Sequence, residues 1–117
     1  MLRIAPLFFA LIACTSSSDS GSGVTSTKKL VELNTSERQQ LCTYMVQAEG
    51  GEHSKMCGDG LTVTVKPASE CVSGLSAFKS TCAATVDNAE TCAEAAGADL
   101  CNLVSSPSCS FLFQCLQ

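Results

Sequence analysis

The most chemically specific residues in this chain are its nine cysteines, which stand beside one histidine and no tryptophan. Thiols at this density hold metal in a reducing compartment and join as disulfides in an oxidising one. A zinc centre needs Cys and His at close spacing, such as C-x2-C pairs. Here no two cysteines lie closer than Cys109 and Cys115, and His53 with Cys57 is an isolated pair. No metal set is assigned, and the same lack of C-x-x-C argues against thiol–disulfide exchange. Any Cys–His or Ser–His–Asp site would have to use His53. It sits in Glu52-His53-Ser54-Lys55 after Gly50-Gly51, which reads as an exposed loop. No catalytic residue is assigned, and the chain reads as a non-enzyme.

Other polar motifs have structural readings. Cys57-Gly58-Asp59-Gly60 reads as a turn, because glycines flank Asp59 and calcium would need more oxygen ligands than this one. Glu90 and Glu94 lie one helical turn apart, and a solvated helix surface is the expectation for both. Asn34-Thr35-Ser36 matches a glycosylation acceptor but reads as a helix cap.

The N-terminus decides which compartment applies. Arg3 is followed by the uncharged run Ile4 to Ala13, IAPLFFALIA. As a helix this run reaches about 15 Å, half of a bilayer core of about 30 Å, so it fits a signal-peptide core and not a span. It ends in Leu11-Ile12-Ala13-Cys14, which resembles the lipobox of bacterial lipoproteins. The resemblance implies cleavage between Ala13 and Cys14, a diacylglycerol on the Cys14 thiol, and often an acyl group on the new amine. The lipid is the one covalent attachment implied, and no other cofactor is expected. Acyl burial contributes ~0.8 kcal/mol per methylene, and two or three chains hold where one is marginal. Thr15 stands where Asp would resemble an inner-membrane retention signal, which favours the outer membrane, on its periplasmic or surface face.

Residues 14–27 then read as the lipidated cysteine and a flexible Ser/Thr/Gly tether, with nothing to bury and a reach of roughly 20 Å. Formal charge is −4 with pI about 4.8, and loss of residues 1–13 removes Arg3 and lowers the charge to −5. This excludes a basic face for nucleic acid or for anionic headgroups. The region after Cys14 has only Tyr44, Phe78, Phe111 and Phe113 as aromatics, too few for a large aromatic pocket.

Residues 28–117 carry the other eight cysteines: Cys42, Cys57, Cys71, Cys82, Cys92, Cys101, Cys109 and Cys115. An even number in an exported chain implies four disulfides. The elements that hold them read as a mainly α, disulfide-stapled bundle of about four short helices with one extended segment. The first helix is expected near Thr35 to Glu49, with an Asn34/Glu37 capping box and a Gly50-Gly51 stop. The second is expected near Ala68 to Lys79 after Pro67. The third runs near Val86 to Ala96, from a Thr85 cap to a Gly97 stop, with a small-residue face of Val86, Ala89, Ala93 and Ala96. The fourth starts at Ser106-Pro107, with Cys109, Leu112, Phe113 and Leu116 facing inward. Leu61 to Val65 alternates like extended chain, either a buried connector or one half of a small ribbon.

Bridged Cα atoms lie within ~7 Å. Cys109 and Cys115 on one helix would be about 9 Å apart, so they should not pair, and Cys71 and Cys82 bracket a helix. Cys42–Cys57 across Gly50-Gly51 and Cys92–Cys101 across Gly97 are the expected pairs, leaving the rest to link helices two and four.

The cysteine spacing, LNTSERQQLC, CGDGLTVTV and the lipobox together resemble small cysteine-rich lipoproteins of myxobacteria. That resemblance implies no activity. The expectation is a membrane-anchored interaction or structural domain with an envelope or surface protein as partner. The alternatives are a freely secreted cysteine-rich effector or inhibitor, and a small hydrolase using His53.

Overall fold

A computed structural model of the protein describes residues 21–116. The lipobox with Cys14, residues 1–13 and the first part of the tether lie outside these described residues. The described chain is mainly helical, with a two-stranded sheet and four disulfides, as expected for fold class.

Helix α1 spans Thr35–Ala48. Asn34 Oδ1 accepts the Glu37 N–H at 2.8 Å, and Glu37 Oε1 accepts the Asn34 N–H at 3.0 Å, which completes the capping box. At its other end Gly50 donates to the Gln47 carbonyl and Gly51 to the Val46 carbonyl, a Schellman closure. Both glycines have left-handed φ, which is why the helix stops there.

Strands β1, His53–Met56, and β2, Thr62–Val65, pair antiparallel with His53 opposite Val65 and Met56 opposite Thr62. The alternation in β2 buries Val63 and Val65 and exposes the threonines. The expected loop at His53 is therefore a strand. Nothing in HSKM announces it, since all four residues are exposed and the pairing with β2 holds them extended. The Cys57-Gly58-Asp59-Gly60 turn is as expected, with positive φ at Gly58, Asp59 and Gly60 and a Cys57 N–H to Leu61 carbonyl bond of 2.7 Å.

Helix α2 spans Ala68–Ser76 and stops short of Lys79. The Lys79 N–H goes to the Cys115 carbonyl instead of back into the helix. Helix α3 spans Val86–Ala98, with a Thr85/Asn88 capping box. Gly97 does not stop it. A Cβ at Gly97 would overlap the Ala48 carbonyl oxygen, so this glycine lets α3 cross against the end of α1. Buried Ala89, Ala93 and Ala96 make the small face that allows the approach.

The last segment differs more. A short helix α4, Asn102–Ser105, precedes a 3-10 turn at Pro107–Cys109 and then helix α5, Phe111–Leu116. The tighter turn shifts the helical phase. Cys109 and Cys115 are buried, whereas Phe113 and Leu116, expected inside, are each 53% exposed.

One core lies between α1, α2 and α3 and includes Leu30, Leu41, Leu75, Val86 and Ala89. A smaller one packs Val63 and Val65 of the hairpin against Ala96 and Leu100. The expected boundary at Lys28 falls inside the folded unit. Val24 is buried in the main core, and the Ser26 and Lys28 carbonyls accept the Asp87 and Val86 amides. Val24 is the one large apolar residue in the Ser/Thr/Gly stretch, and its burial helps to seat residues 21–27.

The bridges are Cys42–Cys71, Cys57–Cys101, Cys82–Cys115 and Cys92–Cys109. Neither Cys42–Cys57 nor Cys92–Cys101 forms. The hairpin between α1 and α2 carries Cys57 away from Cys42, and Cys92 sits inside α3 facing the Pro107–Cys109 turn. Cys109 does not pair with Cys115, nor Cys71 with Cys82, as expected.

Candidate functional site

The residues singled out in the sequence scatter over the domain. His53 opens β1, exposed, with Nδ1 2.8 Å from the Gly51 carbonyl oxygen. All eight cysteines of the described part are bridged, so none is available to it as a thiolate. Asp59 is the tip of the hairpin. Asn34 is a cap. Among the described residues no group of three or more His, Cys, Asp or Glu side chains comes together to hold a metal.

Glu94 is exposed on the helix surface, as expected, whereas Glu90 is not. Glu90 is 5% exposed and its Oε2 accepts the Ser22 N–H at 3.0 Å. Glu94 accepts the Tyr44 hydroxyl at 2.9 Å, and that bond holds the Tyr44 phenol above its usual range. Gly21 lies against the Tyr44 ring, so that a side chain there would have to displace the ring. The two glutamates thus fasten the N-terminal segment and α1 onto α3.

A largely apolar concavity lies between the C-terminal half of α1, β2 and α5. It is open, about 490 Å³, and is lined by Met45, Val46, Val65, Leu112 and Leu116, with Glu49 at one side. Glu49 follows the last turn of α1, where the Gly50-Gly51 reversal holds it half-buried. Burial pushes its carboxyl up to about 7, against the opposing pull of His53. At the rim Lys66 and Glu70 form an ion pair one helical turn apart, at 3.6 Å. The groove therefore offers apolar contact beside one acid that gains or loses its proton near neutral pH.

The sequence signal for Glu49 is its place at the end of a helix, before two glycines. A carboxylate in the last turn of a helix opposes the macrodipole, and that mismatch was the available clue. No protein-family model matches this chain, and no curated protein or solved structure is similar to it.

Proposed function

We propose that this protein is a lipid-anchored, non-catalytic interaction domain held on the outer membrane of a bacterium. Four disulfides fit an oxidising, extracytoplasmic space, and among the described residues no helix is long and apolar enough to cross a membrane. One observation carries the reading. The eight cysteines from Cys42 onward close on one another, which leaves Cys14 as the one cysteine of the sequence outside the four bridges, at the end of Leu11-Ile12-Ala13-Cys14. A thiol without a disulfide partner at that motif is the one a lipid transfer would use. The rigid scaffold, with its hairpin and exposed Phe113 and Leu116, suits presentation of a surface to an envelope partner.

The test is fatty-acid labelling in the native host, with intact mass of the purified protein. The expected product begins at Cys14, carries two or three acyl chains and has no free thiol. Cys14→Ser should abolish labelling and leave the four bridges intact. A soluble product without lipid would support the secreted effector or inhibitor instead.

A further inference from the structure

We propose that a second cleft, between the Leu30–Glu32 turn and the end of α2, binds a small monocarboxylate that carries an apolar group. The cleft is open and about 410 Å³, within the range of small-ligand sites. Three charged side chains line it: Lys29, Arg38 and Glu32. None of them takes part in the ion pairs of the described residues, which are Lys28–Glu37, Lys55–Asp99 and Lys66–Glu70.

Arg38 is the centre of the argument. Its Nη1 donates to Ser76 Oγ at 2.9 Å, which fixes the guanidinium against α2. Its Nε–H is shielded from water and meets no acceptor. The fold therefore keeps a guanidinium in place outside any ion pair of the described residues and with one donor unmet, a costly arrangement for a charged group. A planar guanidinium matches a carboxylate in geometry, and such charge-assisted bonds are the strong ones. Lys29 adds a second cation to the same wall. Glu32 subtracts one charge, so the lining sums to a single positive charge, which suits a monoanion better than a phosphate dianion. Val31 and Phe78 supply apolar contact, and Phe78 is steadied edge-on by Phe111, with ring centres 6.4 Å apart.

The test is a titration of the exported, disulfide-bonded protein with phenylacetate, phenylacetamide and inorganic phosphate, followed by backbone amide shifts. Phenylacetate should shift Val31, Ser76 and Phe78 and saturate with a Kd near the millimolar range, about 4 kcal/mol of binding. The neutral amide and phosphate should bind at least tenfold more weakly. Arg38→Gln should weaken phenylacetate at least tenfold, Lys29→Gln severalfold, and Glu32→Gln should tighten it. The two lysine and glutamate variants leave the Arg38–Ser76 bond intact, so they decide the matter even if Arg38→Gln unfolds. Absence of shifts, equal binding of the amide or of phosphate, or indifference to the Lys29 and Glu32 changes would overturn the assignment.

Discussion

Glu49 makes the clearest demand at the scale of single residues. Its folded carboxyl is raised to about 7 from an ordinary value of 4.5, with burial as the main cause. The fold thus prefers the protonated acid. The stability this contributes is complete below about pH 4.5 and is lost as pH rises through about 7. Because the groove is partly open to solvent, the effect should be on the order of 1 kcal/mol. Thermal melts should show a falling midpoint across that window, and Glu49→Gln should flatten the profile. A wild type with no such slope would contradict the burial argument. Gly97 makes a steric demand. Gly97→Ala would force a methyl onto the Ala48 carbonyl and part α1 from α3, at a cost of about 1–3 kcal/mol in a denaturation experiment.

At the scale of elements, the N-terminal segment depends on α3. Glu90→Ala removes the acceptor of the Ser22 amide inside a buried site, and should cost about 1–3 kcal/mol. Hydrogen exchange should quicken at Ser22 and Val24 first. Protection unchanged at those amides would show that Val24 burial alone seats the segment. Legibility followed locality. The Asn34/Glu37 box, the Gly50-Gly51 stop, the start of α2 after Pro67 and the Thr85 cap were readable because each is decided by residues within a few positions. What was missed is decided at a distance. β1 exists because β2 lies beside it. The end of α2 is set by the Cys115 carbonyl, and the inward turn of Glu90 by Ser22. Gly97 reads as a stop in the sequence because a glycine near a helix end signals a stop more often than a crossing. The Glu49 groove and the Arg38 cleft were invisible for the same reason, since each is assembled from segments far apart in the chain.

At the scale of the whole molecule, the bridges set the order of collapse. Cys57–Cys101 ties the hairpin to the α3–α4 corner across 44 positions. Replacing both cysteines by alanine should cost about 2–4 kcal/mol. Exchange should quicken at Val63 and Val65 while Leu41 and Val86 stay protected. Uniform loss of protection would mean that the two cores form one cooperative unit. Connectivity also bears on maturation. No native bridge joins cysteines that neighbour one another in sequence, so an oxidant that pairs thiols in order of appearance makes only wrong bonds. Oxidative refolding should therefore be slow, and a thiol–disulfide isomerase should accelerate it. Alkylation-quench mass mapping of the intermediates would show non-native neighbours first.

The spans of three bridges overlap end to end, Cys42 to Cys71, Cys57 to Cys101 and Cys82 to Cys115. Every peptide bond from Cys42 to Cys115 therefore lies under at least one bridge. A protease that clips any exposed loop in that stretch leaves two fragments still tied together, and the hairpin tip at Asp59 is the obvious place to clip. A single cut in that stretch would shed nothing.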